Sequence, residues 1–406
     1  MKKYFFVIGF LFPIVLHAQQ NWQWRGENRN GMYLNETGLL REWRSNGPEL
    51  LWHFDGLGEG HTSVAISNEK IYITGMHDDR LILYVLDMNG RLVNEREVGK
   101  EWNTNWNGTR SSVNINDGKL YIFNALGTLH VLDQATLNVV WTKDLIAEFD
   151  GRNLRFGMTE NPLIVGDKIF MSTGSELHNF VALNKNTGAL IWSSPGDGNL
   201  TAYASPIYIS GYSVPIVLTS STENFIAYNA NTGEVLWLHP QRNRSAVGPR
   251  EHPNTPIYSN GLIFSTSGNR VGSVLLRMTN GGRAVEQVWI NEEMDNRHGG
   301  AIRVGDYVYS SGHQNRGWIC VDWRTGETKW RSDELASGTI IYADGMLYCY
   351  AENGVFALVR PNPEKFDIVS RFTVNMGTDT HFAHPVIHRG VLYIRRGDTL
   401  MAYSVK

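Results

Sequence analysis

Apolar residues in this chain fall in short runs separated by Gly, Asn and Asp, and residues 161–192 show the unit most plainly. There the runs 162–165, 168–171, 180–183 and 190–192 are divided by the turn Gly166-Asp167, a looser loop and the turn Asn186-Thr187-Gly188. Gly, Asn and Asp tolerate the positive φ that tight hairpin turns require, so the pattern predicts four short strands joined as a meander. The end of the unit is its most regular part. A turn of the Asn-Thr-Gly type leads to a tryptophan from Asn184 to Trp192, from Asn229 to Trp237, from Asp322 to Trp330 and, more loosely, from Asp133 to Trp141.

Self-similarity at a period of roughly 40–50 residues, with four strands in each unit, indicates a propeller or a solenoid. An apolar residue marks the start of an innermost strand at Val64, Val113, Pro162, Pro206, Pro256, Ala301, Ile340 and Pro385, which makes eight units. The last unit stops at Lys406 without a turn or a tryptophan, while 46–52 closely matches 231–237. The chain is therefore expected to be an all-β, eight-bladed β-propeller of four-stranded antiparallel blades. Residues 46–406 form one domain, closed by an N-terminal strand that pairs into the last blade and leaves no free edge. Three units depart from the phrase: 87–90 has no tryptophan after it, 277–289 carries an insertion, and 360–372 is degenerate.

The repeat resembles the quinoprotein-type propeller, the family of pyrroloquinoline-quinone-dependent alcohol dehydrogenases and of the outer-membrane assembly lipoprotein that shares their fold. The opening Trp22-Gln23-Trp24-Arg25-Gly26-Glu27-Asn28-Arg29-Asn30-Gly31 also looks like the N-terminal signature of secreted bacterial members. The resemblance implies tryptophans wedged between blades, and it leaves function open, because such propellers host both enzymes and scaffolds. A quinone-dependent dehydrogenase would require PQQ with calcium, and Glu160 with Asn161 would be one fragment of that site. No second carboxylate holds an equivalent channel position, and there is no adjacent Cys-Cys pair and no Cys-x-x-Cys-His segment. Neither a cofactor nor a metal is expected.

Lys2 and Lys3 precede an apolar run over 4–16, and His17-Ala18-Gln19 offers a small residue for cleavage. This predicts a signal peptide over 1–18, too short to span a membrane, followed by a leader over 19–45. With no cysteine at the junction for lipidation, the expected location is the periplasm or the exterior, and the protein is expected to be a monomer. Cys320 and Cys349 lie in apolar strand patterns of neighbouring units. Their spacing does not demand a disulfide, so buried thiols are the expectation and a bond stays an alternative. A formal net charge of −3 without a basic run excludes a nucleic-acid surface.

Function is sought where the repeat fails. The tight turns on one face, such as Asn116-Asp117-Gly118 and Gly305-Asp306, read as structural. The longer connections of the other face carry eight of the twelve histidines outside the signal peptide. Positions just before the innermost strands converge on the central channel, which makes His61, Arg110, Glu160, Tyr203, His252, His298, Ser337, His381 and His384 candidates. Nearby loops add Trp106, Arg155 and Phe156, whose aromatic faces and guanidinium forks suit sugar rings and carboxylates. The expectation is a propeller that binds a glycan or protein partner on this polar, histidine-rich face. The alternative is a carbohydrate-active enzyme, such as a lyase on uronic-acid glycans. In that chemistry Arg110 would neutralise the substrate carboxylate, and Tyr203 or His252 would move the proton.

Overall fold

The computed structural model describes residues 22–241 and 251–406. The expected signal peptide, and Arg242, Arg244 and Arg250 in the sequence before His252, lie outside the described residues. Among the described residues there are eight sheets arranged as blades. Blade 3, for example, is Leu163–Val165, Lys168–Ser172, Phe180–Asn184 and Leu190–Ser194, paired antiparallel in sequence order. Ring closure follows the expectation. Glu49–Phe54 pairs antiparallel with Thr399–Ser404 and is the outer strand of blade 8. No helix among the described residues is long and apolar enough to cross a membrane. Cys320 and Cys349, in blades 6 and 7, are buried free thiols.

The recurring phrase is a joint between blades. In blade 3 the Asn184 side chain accepts from the amides of Asn186 and Thr187 at 3.0 and 3.2 Å, and Gly188 closes the turn with φ +70°. One extra residue, Ile191, then bulges out of the pairing, because Leu183 faces Leu190 and Ala182 faces Trp192. The bulge turns the next side chain toward the neighbouring blade. Trp192 donates Nε1–H to the Ala230 carbonyl at 3.1 Å and lies on Gly233 of blade 4, where an added Cβ would come within 2.5 Å of the indole. Only glycine meets both the positive φ and this close approach. Trp52, Trp141, Trp237, Trp289 and Trp330 make the same donation to the following blade at 2.8–3.2 Å.

The two joints without a tryptophan are filled differently. In blade 1 the equivalent position is Asn94, and in blade 2 the equivalent of the turn glycine is Leu137, buried at φ +59°. Losing the indole leaves a hole, and the leucine fills it at the cost of an unfavourable backbone conformation. In blade 7 the position is Ser370, whose hydroxyl accepts from the Trp43 amide at 3.0 Å. The Trp43 ring packs with Tyr348, Phe356 and Phe372, and Phe372 lies against Gly47.

The leader also plugs the channel. Trp22 bridges to Ile115 on the inner strand of blade 2, and Met32–Tyr33 pairs parallel with the inner strand of blade 7. Between them the chain loops into the channel. Arg29 donates to the carbonyls of Asn161 at 3.0 Å, Pro206 at 3.1 Å and Pro162. Arg25 donates to those of Ala301 and Ile340, both at 3.3 Å. The turn face is not plain either. Where the leader enters, it stands off from the inner strands and leaves a cavity of about 790 Å³ lined by Gln23, Glu27, Asn116 and His388 among others.

Candidate functional site

On the opposite face the innermost strands begin around a cavity of about 210 Å³. It gathers seven of the sequence candidates, namely His61, Trp106, Arg110, Phe156, Tyr203, His298 and His384. Trp24, from the leader, lies edge-on to the His384 ring at 5.1 Å and forms the floor. Phe382 ties the walls together, with ring centroids 4.5 Å from His298, 5.8 Å from Trp106 and 5.8 Å from His61.

Other candidates turn back into their blades. Glu160 accepts from the Ser172 amide, while its neighbours Thr159 and Asn161 line the cavity. His252 meets the Ser267 hydroxyl at 2.6 Å, and again its neighbours Glu251 and Pro253 line the cavity. Alternation along extended backbone makes membership a matter of single-residue register. His381 meets the Tyr350 hydroxyl at 2.5 Å, and exposed Arg155 lies over the Phe156 ring at 5.0 Å. Trp24, Thr159, Ser205, Glu251, Pro253 and Phe382 were not singled out from sequence. The same alternation applied beside Glu160 and His252 points to Thr159 and Glu251, whereas nothing local points to Trp24.

Bonding fixes the state of several lining groups. Arg25 donates to His384 Nδ1 at 2.8 Å, and since arginine has no acceptor, Nε2 carries the ring proton and donates to the His298 carbonyl at 2.9 Å. Burial and the Arg25 charge hold this ring neutral, far below the usual histidine range. Burial, then Arg395 and Arg110, push His61 down to about 3, so its 3.9 Å approach to Asp379 is no ion pair at neutral pH. Burial likewise depresses His298. Neither nitrogen of His61 has a hydrogen-bond partner among the described residues. Burial pushes the Tyr203 phenol up to about 12.

Arg110 donates to the carbonyls of Gly108 at 2.6 Å, Asn105 at 3.0 Å and Trp106 at 2.5 Å, bracing the loop that presents Trp106. Trp106 and Tyr203 both adopt positive φ, +44° and +68°. For bulky aromatic residues this conformation is strained, and strain of this kind clusters at sites of function. A second cavity of about 700 Å³ shares Arg297 and His298 with the first and runs past His313, Arg316 and Ser337. His313 Nδ1 accepts from the Asn269 amide at 3.1 Å, so its Nε2 carries the proton. No group of three or more His, Cys, Asp or Glu side chains suited to a metal occurs among the described residues.

A family model described as outer membrane protein assembly factor BamB matches residues 41–210 and 162–364. Among solved structures, BamB from Moraxella catarrhalis superposes with a TM-score of 0.65 at 16% identity, covering 88% of this chain and 99% of that one. The quinohemoprotein alcohol dehydrogenase ADHIIG from Pseudomonas putida HK5 gives 0.61 at 13%, covering 95% and 80%. The quinohemoprotein alcohol dehydrogenase from Comamonas testosteroni gives 0.57 at 12%, covering 90% and 79%. At these identities the likeness is one of fold. The search of curated proteins returned no match to the sequence.

Proposed function

The chain belongs to the family described as outer membrane protein assembly factor BamB, and from that premise we propose that it is an exported binding propeller whose funnel face holds a glycan. The observation that carries this reading is the pairing of aromatic walls with donors of fixed protonation. Trp24, Trp106, Phe156 and Phe382 offer faces and edges to a sugar ring, while Arg110, with three of its five hydrogens spent on its own loop, and Tyr203 keep hydrogens to give. Ring contact and hydroxyl recognition need such groups, and neither needs a proton to move. The 210 Å³ cavity is smaller than the roughly 300–1,000 Å³ of ordinary small-molecule sites. In this reading the glycan continues into the 700 Å³ cavity beyond Arg297 and His298.

A melting-temperature screen against oligosaccharides tests it, since ligand at a hundred times its Kd adds about 2.7 kcal/mol. Stabilisation by one series, lost in Trp106→Ala and Phe382→Ala, is the expected result. A flat response across all series would remove the reading.

Two further readings have narrower support. The family's description names assembly, which favours a protein partner on the same face, and pull-down against envelope extract tests for it. A lyase rests on Tyr203 and Arg110 sharing one cavity, and turnover unchanged by Tyr203→Phe would end it. Quinone with calcium forms no part of the proposal. A calcium ion beside Glu160 would face Arg29. Of the oxygens that would hold it, the Asn161 amide oxygen and one Glu160 oxygen already accept from the amides of Ser112 and Ser172, which leaves only the second Glu160 oxygen without a partner among the described residues.

A further inference from the structure

The charges around the funnel do not balance. Arg25, Arg29 and Arg395 are buried and Arg110 is half-buried. Their hydrogen-bond acceptors among the described residues are all neutral. They are main-chain carbonyls, the Thr62 and Thr109 hydroxyls, the Gln23 amide and the His384 ring. Burial lowers these guanidinium groups only to about 9 or 10, so all four remain charged at neutral pH.

Asp398 gives Arg395 a partial counter-charge, and the other carboxylates nearby answer the remaining three weakly. Glu251 is engaged by Arg297 at 3.4 Å. Burial pushes Glu160 up to about 8, leaving it mostly protonated beside Arg29. Glu101 spends one oxygen on the amides of Trp102 and Ala125, and burial pushes it up to about 7. Asp379 stands out at the rim by His61. Buried charge without a counter-charge is costly, and an anion entering the funnel would relieve that cost.

The cavity also holds uncommitted donors. Of the five hydrogens on Arg110, three are used on its own loop. The Tyr203 oxygen accepts weakly from the Phe156 amide at 3.4 Å, leaving its own hydrogen to give. We infer that the sugar residue held in the funnel is an acidic one, its carboxylate meeting Arg110 and Tyr203 while its ring lies against Trp106 and Phe382. This rests on the glycan-binding reading and adds to it the charge of the ligand.

The test is titration of the intact protein with matched pairs, galacturonate against galactose and glucuronate against glucose, with acetate and sulfate as plain anions at equal ionic strength. The acid of at least one pair is expected to bind at least tenfold tighter than its neutral twin and to weaken as salt rises. Arg110→Gln should erase that preference and Arg110→Lys restore part of it, which separates lost charge from a lost loop brace. Equal binding of acid and neutral twin would overturn the inference and leave glycan binding standing. Acetate or sulfate matching the acid sugar would overturn it too, assigning the site to simple anions. Binding of no sugar would overturn both.

Discussion

The joints between blades and the mouth of the channel are built from the same residue types with opposite results. Trp192 sits in a joint, buried, with its indole N–H bonded and a glycine beneath it. Trp106 sits at the funnel, 50% exposed, on a strained loop held by Arg110. The difference lies in what surrounds them. A joint is made by two neighbouring repeats, so it recurs, whereas the funnel is made by the ends of the inner strands, the loops before them and the leader, and is made once. Repetition therefore marks stability, and departure from it marks the place where binding can be built.

Paired truncations should separate the two regions most widely. Trp192→Ala is expected to cost about 3–5 kcal/mol in denaturant unfolding, as large buried aromatics do. Trp106→Ala should change stability by no more than about 0.5 kcal/mol while abolishing ligand-induced stabilisation. Equal effects on unfolding would erase the distinction.

The plug sharpens the comparison, because it lies between the regions. Arg29→Met should cost roughly 2–3 kcal/mol, since three buried carbonyls lose a charged donor. A melting curve unchanged by this substitution would show that the leader is not part of the folded ring.

The compensated joint offers a smaller but cleaner measurement. Asn94→Trp alone should crowd Leu137, and Leu137→Gly alone should leave a void. Combined they restore the arrangement of the other joints, so a double-mutant cycle should show favourable coupling of about 1–2 kcal/mol. Additive effects would refute the compensation.

The smallest expected effect is one of pH. Glu160 has a folded pKa raised to about 8 by burial, so its contribution is fully present below its unfolded value and is lost as pH rises through about 8. His61 has a folded pKa lowered to about 3, so its contribution is present above about 6.5 and is lost as pH falls through 3. Between about pH 4.5 and 6.5 the two contributions oppose each other, so stability should decline mainly as pH rises from about 6.5 to 8. Glu160→Gln should remove that decline and expose the His61 loss on the acid side. Urea midpoints across pH 5–9 check this.

The blades, their count, the turn chemistry and the closure by 49–54 were legible in the sequence. Each depends on contacts within about ten residues or on a phrase that returns, and turn residues act locally through φ and side-chain bonds to their own backbone. Even the exceptions left a trace, since blade 1 lacks its tryptophan just where blade 2 lacks its glycine. The funnel was legible only as a neighbourhood. His61, Arg110, Tyr203, His298 and His384 reached the cavity, while Glu160 and His252 stopped one residue short of it. Extended backbone sends successive side chains to opposite faces, and no local pattern says which face looks into a channel assembled from eight separate segments. The plug was out of reach for the same reason. Arg25 meets His384 across nearly the whole chain, and the neutral acceptors around it, hence the unbalanced charge of the funnel, exist only once the ring has closed.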